Sequence, residues 1–145
     1  MIAITGLLVM GLSFSLKSFF AVDRPKAYFA KQNLLDELNL IDGIDLYTGA
    51  TSFPSGHAMS AFALYTLLIF ILPPKIRYIL PLFSLALLVG ISRIYLVQHF
   101  WPDVYVGGIL GAFLAMAIYT LHTRLEPTPS GWLDKPVIKI GKSSV

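Results

Sequence analysis

Residues 56–72 read GHAMSAFALYTLLIFIL, and residues 78–97 read YILPLFSLALLVGISRIYLV. Only the five residues PPKIR, at positions 73–77, separate these two apolar stretches. An α-helix needs about 20 mainly apolar residues to cross the hydrocarbon core of a bilayer, so each stretch approaches a spanning length. A link this short makes the two helices antiparallel neighbours. The sequence therefore predicts a helical hairpin in a membrane.

Two further apolar stretches extend this prediction to the whole chain. One runs from Ile2 to about Val22 and is interrupted only by Lys17, and the other runs from Val104 to Leu121. With 56% hydrophobic residues and a mean hydropathy of +0.72, the chain is more apolar than ordinary soluble domains. The start lacks the charged leader and cleavage site of a signal peptide, so we interpret the first stretch as a membrane helix. We expect an all-α integral-membrane bundle of about four spanning helices.

The polar segments complete the predicted organisation. Residues 1–122 form the membrane-embedded domain, with an extracytoplasmic loop at about 26–52. A short interfacial helix is expected within this loop around Gln32–Leu40, followed by a turn at Asp42-Gly43. Residues 123–145 are polar and contain several prolines, so a loosely ordered tail is expected there.

Charge and composition set the orientation and exclude several functions. Lys75 and Arg77 in the short link, together with the basic residues of the tail, place that side in the cytoplasm by the positive-inside rule. The chain has no cysteine, which excludes disulfides, zinc thiolate sites and cysteine nucleophiles. Its net charge of +3 is scattered, which argues against nucleic acid and fits a protein among anionic membrane lipids.

Ionisable residues gather at one membrane face, although such residues are costly beside membrane helices and usually functional. His57 and Arg93 each lie roughly 22 Å of helix away from the short link, so they share one height. The remaining members adjoin the same ends of the first and fourth stretches: Lys17, Arg24, His99 and Asp103.

Three cations within reach of one another repel, and a bound phosphate would offset that repulsion. The segment Ser52-Phe53-Pro54-Ser55-Gly56-His57 adds a helix start, at which free N–H groups favour an oxyanion. Ser52 is the expected N-cap, Pro54 suits the first turn, and Gly56 permits close approach. Taken singly, each ionisable residue also has a structural interpretation, such as snorkelling to the interface or forming an ion pair. Their common depth in the membrane favours an anion-binding site, because the structural interpretations do not explain it.

The same residues form three ordered motifs. They are Lys17, six residues, then Arg24-Pro25; Pro54-Ser55-Gly56-His57; and Ser92-Arg93, five residues, His99, three residues, Asp103. Together, over about Lys17 to Leu121, they resemble the type-2 phosphatidic acid phosphatase family. This family shares its site with vanadium haloperoxidases and glucose-6-phosphatase. Its bacterial membrane members usually have six spanning helices, so four helices are compatible with an N-terminally truncated member.

The resemblance implies a role for each residue. His99 would attack phosphorus, Asp103 would hold its other ring nitrogen, and His57 would protonate the leaving group and then activate water. The other members would bind the phosphate oxygens without any metal or cofactor: Lys17, Arg24, Arg93, Ser55, Gly56 and Ser92.

The resemblance implies a lipid phosphatase of a bacterial inner membrane, with its site facing outward. The substrate stays open among phosphatidic acid, phosphatidylglycerol phosphate and undecaprenyl diphosphate, and an outward site favours the last. Two alternatives are a haloperoxidase that holds vanadate and a non-catalytic phospholipid-binding or transport protein. Four apolar helices argue against the first, and two histidines placed for attack and protonation argue against the second.

Overall fold

The computed structural model describes residues 1–38, 40–41, 47–72 and 76–125 of the 145-residue chain. The regular elements in these ranges are α1 (Ile2–Phe20), α2 (Pro25–Lys31), a 3₁₀ turn (Leu35–Glu37), α3 (Gly56–Ile71), α4 (Ile76–Tyr95) and α5 (Trp101–Leu125). All of them are helical, so the predicted all-α class is confirmed. The expected turn at Asp42-Gly43, the start of the short link at 73–75 and the tail from residue 126 onward lie outside the described residues.

Helix α3 lies at the centre of the bundle and contacts α1, α4 and α5. Its buried side chains include Met59 and Leu67, both fully enclosed, and three alanines that let neighbouring helices approach. At 16 residues α3 is shorter than a full membrane span. Its middle is enclosed by the neighbouring helices, whereas Phe70 and Ile71 at its C-terminal end are 40% and 44% exposed.

Three helical segments of the described chain are long and apolar enough to cross a membrane: Ile2–Lys31, Arg77–Tyr95 and Trp101–Leu125. Their outer faces carry large apolar side chains, among them Phe14, Leu80 and Phe113, which are 72%, 71% and 66% exposed. Apolar surface of this extent is typical of a face that meets lipid. The chain is an integral membrane protein.

The contact between α3 and α5 depends on glycines of α5. A Cβ atom at Gly111 would lie 2.1 Å from the carbonyl oxygen of Met59, and one at Gly107 would lie 2.6 Å from the carbonyl oxygen of Ser55. Small residues of this kind allow the backbones of membrane helices to pack closely. They hold the start of α5 against the loop that leads into α3.

The segment after α1 differs from the sequence prediction. Ala21 closes α1 in the left-handed conformation, and α2 begins at Pro25, whose fixed φ suits the first position of a helix. The helix expected around Gln32–Leu40 is therefore wrong, because the chain forms its helix earlier and continues only as the 3₁₀ turn. Helix α5 also runs past the predicted end at Leu121, so residues 123–125, assigned to the tail, are helical.

We expect the substitution Gly111→Ala to lower the free energy of unfolding by about 1–3 kcal/mol, because the added methyl group would overlap the backbone of α3. Thermal unfolding of the protein in detergent measures this effect. Gly11→Ala in α1 is the matched control: a Cβ there meets no atom within 4 Å, so helix propensity should raise stability by up to about 1 kcal/mol. Equal effects of the two substitutions would contradict the described helix contact.

Candidate active site

The loop before α3 is fastened to the start of α5. The backbone N–H of Ser55 donates to the carbonyl oxygen of Asp103 at 2.9 Å, and the Ser55 hydroxyl caps α3 by accepting from the Ala58 N–H at 3.4 Å. The predicted N-cap at Ser52 is therefore wrong by three residues. Ser52 instead donates its hydroxyl to Asp103 Oδ2 and is fully buried. Ser52 thereby joins the loop to the carboxylate that the sequence assigned to the site.

His99 and Asp103 form a buried pair, with only 2% and 3% of each residue exposed. His99 Nδ1 lies 3.5 Å from Asp103 Oδ2, which is longer than a normal hydrogen bond. Within the described chain Nδ1 has no partner in hydrogen-bonding geometry. The same Oδ2 accepts the Phe100 N–H at 2.9 Å and the Ser52 hydroxyl. Asp103 thus caps the first turn of α5 while it faces the imidazole.

His99 lies in the segment between α4 and α5. Burial lowers the pKa of His99 from its ordinary value, and the positive charges of Arg24 and Lys17 act in the same direction. The contact with Asp103 opposes them. This lowered pKa favours the neutral form of the ring at neutral pH.

Two of the predicted cations converge on Thr51. Lys17 Nζ donates to the Thr51 carbonyl oxygen at 2.7 Å, and Arg24 Nε donates to the Thr51 hydroxyl at 3.2 Å. The Arg24 guanidinium also lies 4.8 Å from the centre of the Tyr47 ring. These partners are neutral, so none of these contacts offsets the positive charge of either side chain.

The third cation, Arg93, is bound by one residue of the loop that follows α4 and by its neighbour in α4. Its Nη1 donates to Gln98 Oε1 at 3.0 Å, and its Nε donates to the Ser92 hydroxyl at 3.1 Å. Ser92 in turn donates to the carbonyl oxygen of Val89 at 2.7 Å. Ser92 therefore contacts the site through Arg93.

His57 is exposed in the first turn of α3. Charges that act on its ring come from Arg93, His99, Lys17 and Arg24. The structure thus brings together the ionisable residues that the sequence placed at one level.

Gly56, the residue before His57, has a more specific place than the sequence indicated. A Cβ at Gly56 would lie 3.0 Å from Ser13 Oγ of α1. This glycine therefore lets α1, which carries Lys17, pack close to the start of α3. In the part of the chain that the structure describes, no group of three His, Asp or Glu side chains is arranged to hold a metal ion.

A family model described as the PAP2 superfamily matches residues 1–127. The chain belongs to the PAP2 superfamily. Among curated PAP2-type relatives, the chain is 33% identical to lipid phosphate phosphatase 2 of Arabidopsis thaliana, over 77% of this chain and 47% of that protein. It is 38% identical to phosphatidylglycerophosphatase B of Bacillus subtilis strain 168, over 56% of this chain and 44% of that protein.

A solved PAP2-type structure supports the helical arrangement. The crystal structure of Aquifex aeolicus LpxE superposes with a TM-score of 0.66 at 32% identity, covering 82% of this chain and 65% of that one. The chain spans between 31% and 47% of the length of the Arabidopsis lipid phosphate phosphatases that it matches.

Three residues of this PAP2 site were not assigned to it from the sequence. Thr51 and Gln98 supply the oxygens that hold the cations, and Ser52 binds Asp103. Gln98 directly precedes His99, and Thr51 and Ser52 lie just before Pro54-Ser55-Gly56-His57, which is the only sequence signal for them. Their side chains are common surface types, so the pattern alone does not distinguish them.

The turn between Arg93 and His99 contains a strained residue. Val97 has a φ of 54°, in the left-handed region that a β-branched side chain rarely adopts. Val97 N–H donates to the Ile94 carbonyl at 2.9 Å, and Gln98 N–H donates to the Arg93 carbonyl at 3.0 Å. This is the Schellman arrangement that ends many helices, with valine at the position that glycine usually occupies.

The substitution Val97→Gly should raise the free energy of unfolding by about 0.5–1 kcal/mol, because it relieves the left-handed strain at the cost of backbone entropy. Thermal or denaturant unfolding in detergent measures the change. Val89→Gly, in the interior of α4, is the control and should destabilise the protein by about 1 kcal/mol. A Val97→Gly protein less stable than the wild type would disprove the strain at this turn.

Proposed function

We propose that this chain is a metal-independent lipid phosphatase that hydrolyses a lipid phosphate or lipid diphosphate through a phosphohistidine at His99. The observation that carries the proposal is the buried His99–Asp103 pair, near three cations whose hydrogen-bond partners among the described residues are neutral. The names of the PAP2 relatives, a lipid phosphate phosphatase and a phosphatidylglycerophosphatase, support the same reaction class.

In the first proposed step, His99 Nε2 attacks phosphorus and the bond from phosphorus to the leaving oxygen breaks. Asp103 faces Nδ1 and stabilises the positive charge that develops on the ring. His57 donates a proton to the leaving oxygen, which is an alkoxide for a monoester or a lipid phosphate for a diphosphate.

In the second step, His57 accepts a proton from water while the water oxygen attacks the phosphorus that is bound to His99 Nε2. The P–N bond breaks, inorganic phosphate leaves, and His99 returns to its neutral form. Lys17, Arg24 and Arg93 bind the phosphate oxygens in both steps and stabilise the charge that spreads over them in the transition state. The Gly56 N–H and Ser55 at the start of α3 complete this cradle.

The membrane setting favours a lipid over a soluble substrate. The exposed apolar faces of α1, α4 and α5 meet hydrocarbon, so a phosphate carried on a lipid reaches the site at the membrane surface. By the positive-inside rule we place that surface on the outer side of the membrane, which we propose to be a bacterial inner membrane. Phosphatidic acid, phosphatidylglycerol phosphate and undecaprenyl diphosphate are the candidate substrates, and an outward site favours the last.

Purified protein in detergent should release phosphate from at least one of these three lipids, with unchanged activity in EDTA and inhibition by vanadate. The cations replace a metal at the phosphate, and vanadate imitates five-coordinate phosphorus beside His99. Phosphate release measured with each lipid, with and without EDTA or vanadate, provides the test. Activity that EDTA abolishes and magnesium restores would disprove the metal-independent reaction, and lipid binding without any hydrolysis would favour a non-catalytic protein.

The two histidines should respond differently to the leaving group. His57→Ala removes the proton donor, so its defect, about 10² to 10⁴-fold on a lipid phosphate, should shrink with nitrophenyl phosphate, whose leaving group needs no proton. His99→Ala removes the nucleophile and should lose activity on both substrates. Comparing kcat/KM of each variant on both substrates tests the assignment. An equal response of the two variants to leaving-group acidity would show that the roles are wrong.

A further inference from the structure

Gln98 forms hydrogen bonds with two of the three cations of the site. Its side-chain Oε1 accepts from Arg93 Nη1 at 3.0 Å, and its backbone carbonyl oxygen accepts from Arg24 Nη1 at 3.3 Å. Its own N–H donates to the Arg93 carbonyl at 3.0 Å. One residue therefore contacts two arginines that come from different parts of the chain.

We infer that Gln98 is a positioning residue that holds Arg24 and Arg93 at a fixed separation next to the proposed nucleophile. An arginine only donates hydrogen bonds, so the Gln98 atom that faces Arg93 must be the amide oxygen. Because Gln98 directly precedes His99, the contacts also fix the two guanidinium groups relative to the imidazole. The inference rests on the proposed function, in which these guanidinium groups bind phosphate oxygens.

The neutrality of the glutamine is central to this role. A carboxylate in place of the Gln98 amide would bind Arg93 more strongly, but it would also add a second negative charge to that of Asp103 near the cations. A neutral amide and a backbone carbonyl orient the cations and leave their charge available. The same logic applies to Thr51, which holds Lys17 and Arg24 through neutral oxygens.

The backbone at Gln98 is set by the turn before it. Val97 in the left-handed conformation directs the chain back toward the end of α4, where the Arg93 carbonyl accepts from both the Gln98 and His99 N–H groups, at 3.0 Å and 3.3 Å. The strain at Val97 is thus located where the chain must place Gln98 and His99 together. This placement is independent of the glutamine side chain, so the side chain can be tested separately.

The substitution Gln98→Met keeps the length of the side chain and removes its acceptor. We expect kcat/KM for a lipid phosphate to fall about tenfold, the usual effect of losing a hydrogen bond to a charged group. The midpoint of thermal stabilisation by inorganic phosphate should move to higher phosphate concentration. Gln32→Met, the same exchange at an exposed position after α2, is the control and should leave both values unchanged.

Gln98→Glu provides a second test of neutrality. The carboxylate keeps an acceptor for Arg93 but competes with phosphate for that guanidinium group. Its KM should rise more than that of Gln98→Met, with a smaller effect on kcat. A Gln98→Glu protein with wild-type KM would overturn the requirement for a neutral side chain.

A double-mutant cycle separates positioning from general packing. Gln98→Met should cause little further loss of phosphate-induced stabilisation in an Arg93→Ala background, because its partner is gone. It should cause its full loss in an Arg24→Ala background, because Arg24 binds the backbone oxygen that the substitution leaves in place. Equal losses in the two backgrounds, or wild-type behaviour of Gln98→Met, would overturn the inference.

The readouts also distinguish this inference from the proposed function. A wild-type protein that binds phosphate but hydrolyses no lipid phosphate would disprove the phosphatase, and the stabilisation cycle would still decide the role of Gln98. A wild-type protein that neither hydrolyses nor binds phosphate would overturn both.

Discussion

The carboxylate of Asp103 lies where three parts of the chain meet. Its Oδ2 accepts from the Ser52 hydroxyl of the loop before α3 and from the Phe100 N–H at the start of α5, and it faces Nδ1 of His99. A buried carboxylate is stable only when such donors replace water. The same contacts that make its burial possible therefore fix the loop, the helix start and the imidazole relative to one another. The glycines of α5 let this arrangement form, because they bring α5 within backbone contact of α3.

Much of this arrangement could be predicted from the sequence, because the physical constraints that produce it are strong. The bilayer requires long apolar stretches, and these predicted the helical bundle and its order. Equal lengths of helix on either side of a short link predicted that His57 and Arg93 share one level. Motif spacing indicated the same cluster independently, and membership of the PAP2 superfamily is confirmed by the family comparison.

The details that the sequence did not predict depend on contacts between distant residues. Ser52 looks like a helix cap from its local pattern, but Asp103, 51 positions later, is its actual partner. The helix at Pro25–Lys31 lies in a polar stretch that indicated a loop, and the proline at its first position is the local signal for it. Gln98 belongs to none of the three sequence motifs. Its contacts with Arg24 and Arg93 depend on the turn after α4, which brings it close to both arginines. The catalytic and phosphate-binding roles themselves stay predictions.

The cation cluster explains why these neutral oxygens matter. Lys17, Arg24 and Arg93 repel one another, and the described structure offers them hydroxyl, carbonyl and amide oxygens together with one aromatic face. Such partners orient the cations but leave most of their repulsion uncompensated. An anion that enters the cluster therefore gains attraction to all three without displacing a competing carboxylate. Asp103 is not such a competitor, because its Oδ2 accepts from the Ser52 hydroxyl and the Phe100 N–H and lies near His99 Nδ1. Within the described residues, the Asp103 carboxylate faces the imidazole while the three cations contact neutral oxygens, which is the separation of charge that the proposed phosphoryl transfer requires.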